Sequence, residues 1–93
     1  MPSTKRSDRL FSNEYKIWLG RNPLTVWMKR RKVSQMEVAA RMDVSTYAVY
    51  LWQHGTSVPN PDRFKLLANL TGIEDIVLQW ANWKDAFSLT GND

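Results

Sequence analysis

Residues 33–55, VSQMEVAARMDVSTYAVYLWQHG, decide the fold of this chain. Their apolar residues recur at helical spacing, but Met-Asp-Val-Ser interrupts the pattern near the middle. Ser34, followed three residues later by Glu37, forms a capping box and opens one helix. Ser45 offers a second N-cap, and Asp43 tolerates the left-handed backbone that a tight turn needs. The stretch therefore predicts two short helices joined by a turn too short to let them lie antiparallel.

The second of these helices is expected over Ser45 to His54, with Gly55 just after its end. Ala48, Val49 and Trp52 point to the core at three-four spacing. A solvated outer side would normally carry Lys or Glu, but this one carries tyrosine and leucine, which together indicate a partner surface. The residues of this outer side are Thr46, Tyr47, Tyr50 and Leu51.

N-cap residues also predict the start of a helix before and after these two helices. Asn22-Pro23 opens a helix to about Lys32, and Asn60-Pro61 opens another that Gly72 ends. A last helix is expected over about Glu74 to Phe87. The inward positions of the helices that begin at Pro23 and Pro61 are Leu24, Trp27, Met28, Phe64, Leu66, Leu67 and Leu70. The apolar positions of the helix after Ser34 and of the last helix are Met36, Val38, Ala39, Met42, Ile76, Val77, Trp80, Trp83 and Phe87.

The two ends of the chain differ from the middle. Residues 1–9 are polar and basic and predict a flexible arm. Residues 12–19 predict a short helix or a short strand, since eight residues cannot settle the period. The prediction is an all-α domain of five helices, or six with the one near residue 15. We divide the chain into an arm with that possible helix at 1–21, a domain at 22–87 and a polar tail at 88–93.

Composition narrows the function. Ninety-three residues make one domain, without cysteine and with the single histidine His54, so disulfides and multi-histidine or cysteine metal sites are excluded. No apolar run is long enough for a membrane helix. Residues 1–41 hold ten Lys/Arg and three Asp/Glu (+7), and residues 42–93 hold three and six (−3), which together give the net charge of +4. This asymmetry indicates a polyanion partner, or a solvated surface whose charges fell unevenly.

The pair of helices resembles the helix-turn-helix of lambda-repressor-like (Cro/XRE-type) DNA-binding domains. The resemblance covers residues 22 to about 80. It departs from the family at two places, because Asp43 stands where glycine is usual, and Met28 and Gln53 stand where many members pair an Arg with a Glu. The residues that carry it are Ser34, Gln35, Ala39, Asp43, Val49, Trp52, Gly55, Leu24, Trp27 and the stretch NPDRFKLLANLTGI at 60–73.

The resemblance implies a sequence-specific regulator of transcription, most simply a small dimeric repressor of phage or bacterial type in the cytoplasm. The second helix would enter the major groove of double-stranded DNA and read bases with Thr46, Tyr47, Tyr50 and Leu51. Because this helix has no Arg or Lys, we expect readout to favour A·T-containing half-sites. The phosphate contacts would come from Gln35, Ser45, Arg41, His54 and Thr56, with Lys5, Arg6 and Arg9 of the arm.

A homodimer is expected because one short helix reads few bases. The aromatic residues of the last helix, Trp80, Trp83 and Phe87, exceed what a small domain readily buries and predict the dimer surface, although they could instead fill the core. A second hypothesis is a protein-interaction module, such as an antitoxin or a co-regulator, that uses the aromatic surface. We expect neither enzymatic activity nor a cofactor, because no catalytic grouping or phosphate loop is present.

Overall fold

The computed structural model describes residues 13–91, with side chains through Phe87. Within that range the chain is all-α, with six helices and no strand, and the additional short helix near residue 15 is present. The predicted all-α class is therefore confirmed. The helices are α1 (Tyr15–Gly20), α2 (Pro23–Arg31), α3 (Gln35–Met42), α4 (Thr46–Gln53), α5 (Pro61–Thr71) and α6 (Ile76–Gly91).

The predicted caps start the helices as expected. A side-chain oxygen accepts a hydrogen bond from the backbone N–H three residues later, which satisfies one of the free donors of each first turn. The four donor–acceptor distances are 3.0 Å at Asn22, 3.1 Å at Ser34, 3.0 Å at Ser45 and 2.8 Å at Asn60.

Left-handed residues end the helices. Asp43 has φ 55°, as its position in the turn predicted, and Lys32 after α2 has φ 56°. Gly55 and Gly72 have φ 73° and 76°, where glycine avoids the steric cost of a Cβ. The connection between α3 and α4 is thus three residues long, 43–45.

The core confirms most of the inward positions and adds Trp18 from α1. Its buried members are Trp18, Leu24, Met28, Val38, Ala39, Met42, Val49, Trp52, Phe64, Leu67, Ile76, Trp80 and Trp83. Ala48, Trp27 and Leu70 are half-buried and pack against it.

One inward position was predicted wrongly, because Leu66 is 47% exposed. Two of the apolar positions, Met36 and Val77, also lie at the surface, 73% and 55% exposed. Each lies one or two positions along the helix from a buried residue. Because successive helical residues are rotated by about 100°, such a small shift is enough to turn a side chain from the core to the surface. Leu67 and Ile76 hold the buried positions beside Leu66 and Val77.

The last helix lies later in the chain than predicted. It begins at Ile76, after a turn at residues 74–75, and continues to Gly91. Residues 88–91 are therefore helical, where the sequence predicted a polar tail.

α6 is the element on which the others pack. It contacts α1, α2 and α5, while α3 packs on α4 and on α5, and α1 also contacts α2. Among the described residues, no helix is long and apolar enough to cross a membrane. The same part of the chain holds no group of His, Cys, Asp or Glu that could bind a metal ion.

A reciprocal pair of tryptophans, Trp18 of α1 and Trp83 of α6, joins the two ends of the domain. Each indole N–H donates to the backbone carbonyl of the other residue at 2.6 Å. The two rings stack with their centroids 4.1 Å apart and their planes 4° from parallel. We call these two residues the tryptophan pair.

Candidate functional site

An exposed aromatic ridge runs along α4. Tyr47 is 66% exposed and Tyr50 is 43% exposed, with ring centroids 6.1 Å apart and planes 10° from parallel. The ring of His54 stacks on Tyr50 at 3.9 Å. These residues are spaced three and four positions apart, which places them next to one another on a helix. We call Thr46, Tyr47, Tyr50 and His54 the tyrosine ridge; Thr46 is also exposed.

The opposite side of α4 holds the ridge in place. Val49 is fully buried and Trp52 is 4% exposed, so the core fixes the rotation of the helix about its axis. Ser45 caps the first turn. Leu51, predicted as a base-reading residue, is half-buried, which is a correction to the predicted outer side. Its carbonyl accepts hydrogen bonds from the N–H groups of Thr56 and Ser57, in the loop that follows α4.

His54 ends the ridge with a defined ring orientation. Its Nδ1 lies 2.8 Å from the carbonyl oxygen of Tyr50. A carbonyl can only accept, so Nδ1–H is the donor, and Nε2 is left for another partner.

A chain of neutral side chains links the end of α4 to α2 and α3. Gln35 donates through Nε2 to Oε1 of Gln53 at 2.7 Å, and Gln53 donates to the hydroxyl of Thr25 at 2.8 Å. That hydroxyl in turn donates to Asn22 Oδ1 at 3.4 Å. These hydrogen bonds include Gln53, which stands at one of the two positions where many members of the resembled family pair an Arg with a Glu. It fixes the predicted phosphate contact Gln35 beside the end of α4.

Two lysines lie beside the same end of α4. A cleft of about 190 Å³ is lined by residues of α1, α2 and the end of α4. Its charged or titratable members are Lys16, Lys29 and His54, and its other members are Leu19, Gly20, Thr25 and Gln53. We call it the lysine cleft. The Nζ of Lys29 lies over Gly20, 3.9 Å from where a Cβ would be.

Neither lysine was identified as a site residue from the sequence. Lys29 belongs to a basic run with Arg30 and Arg31 in the last turn of α2, where the helix dipole favours positive charge, and Lys16 lies in the short segment whose structure was left open. Only the packing of α1 against α2 brings the two together, and no sequence spacing signals it.

The basic run at the end of α2 divides between two faces. Lys29 lines the lysine cleft, whereas Arg30 and Arg31 line a second cleft of about 500 Å³ together with Arg21. Within residues 13–87, the ion pair between Arg41 and Glu37 is the only one, at 2.9 Å. The lysines and these three arginines therefore have no acidic partner in that part of the chain.

The remaining predicted phosphate contacts are dispersed. Ser45 and Thr56 are exposed at the two ends of α4. Arg41 lies on α3, and its guanidinium is paired with Glu37, so its charge is partly neutralised already. Lys5, Arg6 and Arg9 lie outside the described residues.

The predicted dimer surface on the last helix needs correction. Trp80 is 1% exposed and Trp83 5% exposed, so both belong to the core of one chain. Phe87 is half-buried and packs against Trp18, with ring centroids 4.2 Å apart. α1, which the prediction left open, covers Trp83 and Phe87 through Trp18, and Trp80 packs against Phe64 of α5. They offer no broad aromatic surface to a second copy.

The loop after α4 joins the ridge to the tryptophan pair. A Cβ on Gly55 would lie 2.9 Å from Cη2 of Trp18 and 3.3 Å from Cη2 of Trp83. The ammonium of Lys84 donates to the Gly55 carbonyl at 2.6 Å. The end of α4 thus rests directly on the contact between α1 and α6.

Comparison with known proteins returned no relative: no family model, no curated protein and no solved structure matches the chain.

Proposed function

We propose that this protein is a sequence-specific double-stranded DNA-binding regulator of transcription that inserts α4 into the major groove. The tyrosine ridge carries this proposal. It presents exposed, stacked tyrosines on a short helix whose other side is anchored in the core. Exposed aromatic surface on a helix anchored in this way favours a binding role over a solvated one.

The arrangement of α3 and α4 supports the same function. A three-residue connection with a left-handed Asp43 joins two eight-residue helices that pack on each other. We propose that they form a helix-turn-helix of the lambda-repressor-like type, in which the second helix reads base edges.

The side chains of the tyrosine ridge determine which bases α4 can recognise. α4 contains no charged residue, so a bidentate contact from Arg to guanine is not available to it. Tyrosine rings and the Thr46 methyl suit the methyl group of thymine, while the hydroxyls can donate or accept hydrogen bonds. We therefore propose half-sites that contain A·T pairs at the positions facing α4.

The backbone contacts would flank the ridge. The N-terminus of α4 presents free N–H groups next to Ser45, a position that favours a phosphate. Gln35, His54 and Thr56 lie at or near the other end of the helix, as the hydrogen bonds of Gln35 and His54 indicate. Arg41 is a weaker candidate because Glu37 competes for it.

We further propose that the protein binds as a homodimer, because one eight-residue helix covers too few base pairs for high specificity. The surface of that dimer lies elsewhere than on Trp80 and Trp83.

One observation favours a second function. An uncharged aromatic ridge also suits a protein partner, since tyrosine is enriched where protein interfaces hold their binding energy. The protein would then be an interaction module, such as an antitoxin or a co-regulator, with the ridge as its contact surface.

Selection of bound duplexes from a random DNA pool distinguishes the DNA-binding function from the protein-interaction function. The purified protein is used at near-physiological salt, with Tyr50→Ala as the matched variant. We expect the wild type to enrich an inverted repeat with half-sites about one helical turn apart. We expect the variant to lose that enrichment while it stays folded. Binding that is sequence-blind, and equal for both proteins, would contradict the proposal and favour a protein partner.

A further inference from the structure

We propose that α1 is a second DNA-contacting element, in which Lys16, together with Lys29 of α2, holds the phosphate backbone beside the C-terminal end of α4. This inference rests on the proposed function and extends the contact surface to a helix that precedes the segment resembling the family.

The length of α4 places its ends near the walls of a groove. Eight residues at about 1.5 Å each give a helix of about 12 Å, close to the width of the major groove. A helix of that length, lying across the groove, brings its C-terminal end close to a phosphate strand. The side chains at that end are Gln53 and His54, and both line the lysine cleft.

The lysine cleft has the chemistry that a phosphate strand needs. Lys16 and Lys29 line one concave surface, and no carboxylate lines it. Gln53 also lines it and holds Gln35 beside it. Ammonium groups act as point charges that attract phosphate without a fixed geometry, so they suit a backbone whose position varies with sequence.

The position of Lys16 depends on the tryptophan pair. α1 is only six residues long, and Trp18, two residues after Lys16, is fixed to Trp83 by both indole hydrogen bonds. Lys16 is exposed, and it belongs to a helix that these two hydrogen bonds join to α6. The charge is therefore held at the end of α4, and it does not depend on the arm at residues 1–9.

The second basic cleft supplies a control of equal charge. Arg30 directly follows Lys29 in α2 but lines the cleft that it shares with Arg21 and Arg31. Thr25 and Lys29 share one side of α2, because they lie four residues apart, and Val26 and Arg30 share another. Replacement of Lys29 or Arg30 by Gln removes one positive charge in each case, from two different faces.

The test is the salt dependence of binding to the duplex recovered by selection. Fluorescence anisotropy of the labelled duplex gives Kd over a series of salt concentrations for the wild type, Lys16→Gln, Lys29→Gln, the double variant and Arg30→Gln. Each phosphate contact contributes about 0.9 to the slope of log K against log salt. We expect each lysine variant to lower the slope by about 0.9 and the double variant by about twice that. Arg30→Gln should keep the wild-type slope.

Two outcomes overturn the inference while the proposed function stands. A Lys16→Gln protein with the wild-type slope would remove α1 from the contact surface. An equal decrease for Arg30→Gln and Lys29→Gln would show an effect of net charge without a site. Urea unfolding of each variant confirms that the fold is retained, as exposed lysines predict. If the wild type binds no duplex at all, both the inference and the proposed function fail.

Discussion

Two stacks of aromatic rings lie near the end of α4, and they differ in burial and in hydrogen bonding. In the tryptophan pair both N–H groups donate to carbonyl oxygens, and both side chains are buried. In the tyrosine ridge the rings are exposed, and their hydroxyls are available to a partner. The comparison separates rings that build the fold from rings that bind.

The difference does not follow from residue type alone. Trp83 was expected at a surface, and it is buried because a matching acceptor, the carbonyl of Trp18, is available to its N–H group. Satisfying both indole donors of the pair offsets the cost of burying them, whereas Trp80 is buried in the same core although its Nε1 has no partner among the described residues. The tyrosines have no such partner inside the fold, and they project from a helix whose inner side is already filled by Val49 and Trp52.

The largest expected effect comes from the buried stack. Trp18→Ala removes a large core side chain and one of the two reciprocal hydrogen bonds, so we expect a loss of about 3–5 kcal/mol in the free energy of unfolding. Urea unfolding followed by circular dichroism measures it. Tyr47→Ala, which truncates an exposed ring, should cost within about 0.5 kcal/mol. Equal losses for the two variants would erase the distinction between the stacks.

Gly55 lies between the two stacks and gives the next effect. An added Cβ would approach Trp18 and Trp83 closely, and φ is 73°, so Gly55→Ala carries both overpacking and backbone strain. We expect a loss of about 2–3 kcal/mol in unfolding free energy. Gly72→Ala is the matched control, because φ is 76° and no atom lies within 4 Å of the added Cβ. It should show the backbone cost alone, about 1 kcal/mol. Identical losses would mean that the tryptophan pair shifts to accommodate the added Cβ at little cost in free energy.

Substitutions in the tyrosine ridge should weaken binding and leave the free energy of unfolding almost unchanged. For Tyr50→Ala we expect about 1–3 kcal/mol weaker binding to the selected duplex, a loss of about fivefold to 150-fold, with the urea midpoint almost unchanged. Tyr50→Phe separates the ring from the hydroxyl, since it retains stacking on Tyr47 and His54. Wild-type affinity in Tyr50→Ala would exclude Tyr50 from the binding surface.

The smallest effect concerns the turn that orients the ridge. Asp43 is exposed, has φ 55° and places a negative charge at the C-terminal end of α3, where the helix dipole disfavours it. Asp43→Gly relieves both costs and adds flexibility to the unfolded chain, so we expect a net gain of about 0.5 kcal/mol. Thermal and urea unfolding measure it. A loss above about 1 kcal/mol would show that the Asp43 side chain has a structural role.

Features that depend on neighbouring residues could be predicted from the sequence, whereas features that depend on how the helices pack could not. The caps at Ser34 and Ser45 and the left-handed Asp43 depend on a few neighbouring residues, and all three are confirmed. The prediction that Leu66 is buried was wrong, because one position around a helix turns a side chain from core to solvent. Proximity of Lys16 to Lys29 depends on how α1 packs, which no local pattern encodes. Thr46, Tyr47 and Tyr50 were placed on the outer side, where the structure has them, although their partner stays a prediction.

The tryptophan pair also has a consequence for the order of folding. It joins residues 65 positions apart in the chain, so the loop entropy of nearly the whole domain must be overcome before it forms. A six-residue helix has little stability by itself, so α1 gains its order from its contacts with α2 and α6, the tryptophan pair among them. We therefore expect α1 to fold last and to open first. In native-state hydrogen exchange its amides should exchange through a partial opening, while those of α3 and α4 report the global unfolding of the domain.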